Sequence, residues 1–468
     1  MKEKITDGIA DDVLRGATAF QQLCWLASGR IDSVGLTASH RAAIERENPR
    51  LNAFVALDDG AFKAASESAA RRREGTVIGR LDGLTVAVKD NLDVAGMPTR
   101  AGVPGRNRVA EADSAVVARL RAAGAVILGK TQLDEGALGT TTANMHTGPT
   151  QNPARLGYTA GGSSGGSASA VAAGLASFTL GTDTLGSVRI PASHCGVYGL
   201  KPTLGEISTR GMVHGARRLD CIGILARSVP DIAIVLQVLD AFDAADPRSR
   251  RRRVPLATPD WEPGALRAGI VPNLEAIGVA APMRLLFERA IAALGNELGE
   301  HVEADFSDYD FARMRRAALL VMESELAVEF EDDLADTTHP VSPRFRALVD
   351  YARGKSAVDY ARADRVLDSG VVKARRLFDD VDVLVLPTCA HGPYPLSESE
   401  RANDADLTSF ASIAGCPAIS LPMGRLPDGL PAGLQLVGPP GSDLRLLELA
   451  EICASILDAT PEYPVRCS

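Results

Sequence analysis

The stretch AGGSSGGSASA, residues 160–170, holds four glycines and four serines in eleven positions. Such a loop can cradle a phosphate on its backbone N–H groups, present a serine as nucleophile, or simply join a strand to a helix. A competing phosphate signal lies upstream, where GAVILGKT (Gly124–Thr131) matches the G-x-x-x-x-G-K-[ST] pattern. Its variable positions Ala125, Val126, Ile127 and Leu128 read as a strand, not as a loop facing phosphates. The glycines at 160–170 lack a following Lys-Ser/Thr, so a nucleoside triphosphatase is disfavoured. Gly161 to Gly165 also satisfies the G-x-S-x-G elbow, but that turn must follow a buried strand directly. The preceding QNPARLGYTA does not read as one, and the later histidines His194, His214, His301, His339 and His391 have no motif around them.

Two further segments bear chemistry. GLTVAVKDN puts Lys89 at the end of an apolar strand, where packing alone would explain it as a snorkelling cap. GTDTLGSVRIP (181–191) puts Ser187 in a turn between a strand and a helix. Backbone N–H groups in such a turn converge on one point, the arrangement an oxyanion needs, although the turn alone would read as ordinary.

Taken together, G-G-S-S-G-G-S, then G-T-D-T-x-G-S-x-R-I-P, with K-D-N upstream, resemble the amidase signature family. The resemblance extends through LDEGALGTTTANMHTGPTQNP, CGVYGLKPTLGEIS and AGCPAISLPMGRLPDGLPAGLQLVGPP. It implies an α/β fold, with a central mixed β-sheet covered on both faces by helices. It implies a Ser-Ser-Lys triad: Ser187 as nucleophile, Ser163 as relay, reached through a cis peptide from Gly162, and Lys89 as base. It implies an oxyanion hole of the N–H groups of Thr184, Leu185, Gly186 and Ser187, with Ala137 on the substrate side and neither cofactor nor metal.

The chemistry is coherent on physical grounds. A serine hydroxyl needs a base to take its proton, and a lysine can be that base only when neutral. Burial away from carboxylates lowers a lysine pKa, and the adjacent Asp90 would point to the opposite face of the strand. Two departures stand out: Leu185 where the family carries a small residue, and Gly136 where it carries a large apolar one. The two changes are expected to compensate in volume. Arg189 reads as scaffold, paired with Asp183 or Asp220, in preference to a contact for a substrate carboxylate.

The elements that must hold these residues follow from the pattern. Residues 1–75 read as a helical region around one strand at 51–57, with an exposed helix ending at Gly75. Residues 76–468 read as the amidase domain, one structural unit with a helical insertion at about 265–380. Strands are expected at 84–89, 125–130, 176–181, 381–387, 416–422 and 430–438, and helices at 110–123, 165–175 and 442–457. The arginine run DPRSRRRRVPL (246–256) reads as a solvated linker.

Composition bounds the partners. Of 468 residues, 46% are hydrophobic, only 4% aromatic and 44 are glycine, so the core must be aliphatic and small-residue packed. A net charge of −9 offers no attraction for nucleic acid or an anionic membrane. Seven scattered cysteines without a C-x-x-C pair, and a charged MKEKITDGIADD, suit a reducing cytoplasm. The expected partner is a small-molecule amide, with no membrane and no direct nucleic acid contact, and a homodimer is the assembly considered. AGCPAISLP and VRC are similar to the carboxybiuret and allophanate hydrolase branch. The alternative is the A-type component of glutamyl-tRNA amidotransferase, working in a complex. A catalytically dead binding protein is disfavoured because Lys89, Ser163 and Ser187 are all present.

Overall fold

The structure is a computed structural model that describes residues 9–250 and 265–457. The first eight residues, positions 251–256 of the arginine run and the VRC segment with Cys467 lie outside the described residues.

An eleven-stranded mixed sheet organises the chain. From one edge it runs Phe54–Leu57, Val126–Thr131, Thr85–Lys89, Phe178–Asp183, Cys221–Ala226 and Tyr198–Lys201. It continues through Ala418–Arg425, Pro431–Val437, Val383–Pro387, Arg267–Ile270 and Glu300–Glu303. Thr85–Lys89 pairs in parallel with both of its neighbours, whereas Cys221–Ala226 pairs antiparallel with both of its own. The central strands are apolar runs because both faces are covered. Val86, Val88 and Ile127 join one apolar cluster, while the alternating Ala87, Val126 and Leu128 join another on the opposite face.

The expected elements appear with small boundary shifts. Ala61–Glu74 is a helix with Ala61, Ala65, Ser68 and Ala69 buried, and it ends at Gly75, whose φ of 70° suits a glycine. The P-loop-like segment is the strand Val126–Thr131, buried at every position. Arg155–Thr159 is a strand, yet only Thr159 of it is buried, and it forms a small hairpin with Gln151–Asn152. It is therefore not the buried strand an elbow needs.

Residues 265–380 are mostly helix, as expected, but contain two strands that the pattern did not show. Helices Ala281–Leu294, Phe311–Glu329, Pro343–Arg353 and Ala357–Asp380 do fill it. Its strands Arg267–Ile270 and Glu300–Glu303 pair in parallel, and the first also pairs with Val383–Pro387. The segment thus finishes the central sheet. Tyr198–Lys201 and Cys221–Ala226 are likewise strands beyond those expected. Among the described residues no helix is long and apolar enough to cross a membrane.

Candidate active site

The parallel pairing of Thr85–Lys89 with Phe178–Asp183 brings the ends of both strands to one side of the sheet. Lys89 ends the first strand, and the turn that carries Ser187 follows the second. Ser163 sits just before the helix Gly165–Ala172, and the Gly162–Ser163 peptide bond is cis.

Lys89 is fully buried. Its Nζ donates to Ser163 Oγ at 2.8 Å, Ser164 Oγ at 2.8 Å and Thr182 Oγ1 at 2.9 Å. Ser164 and Thr182 were not singled out from sequence. Ser164 also ties the two loops together, its hydroxyl donating to the Thr182 carbonyl and its N–H to the Ser187 carbonyl. Burial lowers the Lys89 ammonium from its usual 10.5 to about 7. Contrary to the expectation of a site away from carboxylates, Asp134, Asp183 and Asp220 pull in the other direction, but burial outweighs them. Asp90 faces away and pairs instead with the buried Lys130 at 2.8 Å.

The Ser187 turn is built around Asp183. This buried carboxylate accepts from the Gly186 N–H at 2.7 Å and the Val188 N–H at 3.1 Å. Arg189 grips it with Nε at 3.0 Å and Nη2 at 2.9 Å. Burial alone would raise the Asp183 carboxyl, but the guanidinium holds it below its ordinary value. Arg189 is fully buried and donates further to the Thr408 carbonyl, Gln435 Oε1 and Ser412 Oγ. Its pairing is with Asp183, not Asp220, and it does not line the cavity. Asp220 instead accepts from Thr184 Oγ1 at 2.6 Å and from the N–H groups of Gly215 and Ala216. Gly186 takes φ 140°, and a Cβ there would collide with Thr408 and Ile190. Its N–H is committed to Asp183, while those of Thr184, Leu185 and Ser187 have no acceptor among the described residues.

Ser187, Thr184, Leu185 and Ala137 open onto a cavity of about 620 Å³. Its apolar wall is Ile190, Leu319, Met322 and Leu348, and Glu323 interrupts that wall. Gly136 does not balance Leu185 in volume. A Cβ on Gly136 would meet the Phe345 ring, so an aromatic from the helix Pro343–Arg353 already occupies that space. Among the described residues no group of three or more His, Cys, Asp or Glu side chains could hold a metal.

The Amidase family profile matches residues 36–447, and the chain belongs to that family of enzymes, hydrolases of amide carbon–nitrogen bonds. The chain is 35% identical over 480 residues to the A-type component of glutamyl-tRNA(Gln) amidotransferase from Synechococcus sp. (strain CC9605), covering 93% of this chain and 96% of that one. It is 34% identical over 447 residues to a component of 1-carboxybiuret hydrolase from Pseudomonas sp. (strain ADP), covering 91% and 96%. Among solved structures it resembles a chain of a vestigial protein complex that reveals the evolutionary origins of an s-triazine catabolic enzyme, with TM-score 0.87 and 32% identity over 94% and 98% of the two chains.

Proposed function

We propose that the protein hydrolyses a small-molecule amide through an acyl-enzyme on Ser187. The observation that carries the reading is a buried lysine, with no paired carboxylate among the described residues, held 2.8 Å from Ser163 next to a loop that bonds the Ser187 turn, with Ser187 itself opening into a cavity. Neutral Lys89 takes the proton of Ser163 as Ser163 takes that of Ser187, and Ser187 Oγ attacks the amide carbon. The resulting oxyanion is met by the N–H groups of Leu185 and Ser187, with Thr184 beside them. The part assigned to Gly186 is different: its N–H holds Asp183 and so fixes the turn. Collapse of the intermediate passes the proton to the leaving nitrogen, and water then releases the acid by the same route. A cavity of about 620 Å³ suits a substrate of small-molecule size. Six free cysteines among the described residues agree with a cytoplasmic setting.

The amidotransferase reading keeps one support, the similarity to A-type amidotransferase components, and it shares the same serine chemistry. The test is release of ammonia or amine from a panel of small amides by the isolated chain. Turnover without any partner protein supports the hydrolase. No turnover until a partner protein is added supports the amidotransferase.

Leu185 is the expected gate for acyl groups. Leu185→Gly raises kcat/KM for amides branched next to the carbonyl, relative to linear ones, by about tenfold, the scale of one or two methylenes in an apolar pocket. An unchanged ratio across the panel removes Leu185 from substrate choice.

A further inference from the structure

Glu323 projects from the helix Phe311–Glu329 into the wall of the Ser187 cavity. Only 5% of it is exposed. Among the described residues it has neither a hydrogen bond nor an ion pair. A carboxylate set in a largely apolar wall without a partner is costly, so acids in such places are normally paired. The apolar side chains that share the wall with it, Leu319, Met322 and Leu348, offer no donor. The arginines at the cavity rim are engaged elsewhere: Arg315 with Asp406, Arg344 with Glu400 and Arg401 with Glu398. Arg316 lies seven residues earlier on the same helix, roughly 10 Å along its axis, and is exposed. Burial pushes the Glu323 carboxyl up to about 7, and no cation pulls it back. The cavity therefore contains an acidic group whose counter-ion the fold does not supply.

We propose that Glu323 is a specificity-determining residue that receives a protonated primary amine carried by the substrate, so that the preferred substrates are amides bearing an ammonium group. This rests on the reading of the cavity as the amide site of Ser187. The apolar wall would hold the carbon chain, and the carboxylate would accept the ammonium hydrogens in a charge-assisted contact. A cation arriving at a half-neutral acid also favours its ionised form, so binding and deprotonation of Glu323 reinforce each other.

The experiment has two readouts. In the first, n-butylammonium and n-butanol are titrated into the native full-length protein, Glu323→Gln and Glu323→Asp, with binding followed by ligand-observed NMR. The native protein is expected to bind the ammonium about tenfold tighter than the alcohol. Glu323→Gln is expected to lose that preference. Glu323→Asp keeps it but shifts the optimum to an alkylammonium about one methylene longer, which a merely structural role would not do. In the second, 4-aminobutanamide is compared with pentanamide, and 5-aminopentanamide with hexanamide, as hydrolysis substrates. The kcat/KM ratio within each pair is expected to favour the ammonium member in the native protein and to fall toward one in Glu323→Gln. Equal binding of ammonium and alcohol by the native protein overturns the proposal, as does a preference that survives in Glu323→Gln. If ammonium preference holds but neither amide is cut, the hydrolase reading fails and the Glu323 assignment stands.

Discussion

Lys89→Met lowers kcat/KM for amide hydrolysis by about 10²- to 10⁴-fold, the range a positioned general base contributes. The side chains match closely in length and shape, so the three hydroxyl groups around Nζ lose a donor while the packing stays. The native enzyme carries a pH signature of the same group. Only neutral Lys89 can accept the proton, and its ammonium is lowered to about 7 by burial. The kcat/KM therefore rises with pH through about 7 and levels above it, and this limb vanishes in Lys89→Met. Lys89→Arg stays protonated throughout and is as impaired as the methionine variant. Lys89→Met is expected to cost activity but gain stability at low pH. The folded state disfavours the Lys89 proton, so the unfolded chain binds it more tightly between about 7 and 10.5. The cost is full below the folded value and disappears as pH rises through that window, at about 1.4 kcal/mol per unit. Lys89→Met removes this cost, and its melting temperature at pH 6 is expected to exceed that of the native protein. A variant that keeps native kcat/KM, or a profile flat across pH 7, removes Lys89 from the proton path.

Asp183→Asn destabilises the fold by about 3–5 kcal/mol, the usual result of stripping one partner from a buried ion pair. Asp183 and Arg189 are both fully buried and joined by two contacts. An asparagine amide would direct its own N–H groups at a guanidinium that only donates. The same change releases either the Gly186 or the Val188 N–H group, whichever faces the amide nitrogen, and so loosens the Ser187 turn. Denaturant midpoints measure the stability loss, and residual turnover measures the disordered turn. A variant as stable as the native protein contradicts the role given to this pair.

Lys89, Ser163 and Ser187 were legible only through the resemblance of their three segments, taken together, to the amidase signature family; alone, Lys89 reads as a packing cap and the Ser187 turn as an ordinary turn. The turn around Asp183 was partly legible. Arg189 could be read as scaffold, but its partner could not be chosen between Asp183 and Asp220 without the fold. The cavity wall was not legible. Met322 and Leu319 sit on a helix whose 3–4-residue apolar spacing looks like any core helix, and Glu323 is one acid among many in that segment. The filling of the space beside Gly136 by Phe345 is a contact across more than two hundred residues, which local pattern does not carry. Glu300–Glu303 was hidden for a simpler reason. Its sequence EHVE lies at the sheet edge and is largely exposed, so it lacks the apolar run that betrays an inner strand.

The central claim is that Ser187 is the nucleophile. Intact-protein mass spectrometry after treatment with a fluorophosphonate tests it most directly, with Ser187→Ala measured beside the native protein. One adduct on the native chain, mapped to Ser187 and absent from Ser187→Ala, is the result expected. An adduct that persists in Ser187→Ala, carried by Ser163 or Ser164, would contradict the account and return the glycine-rich loop to the role of nucleophile.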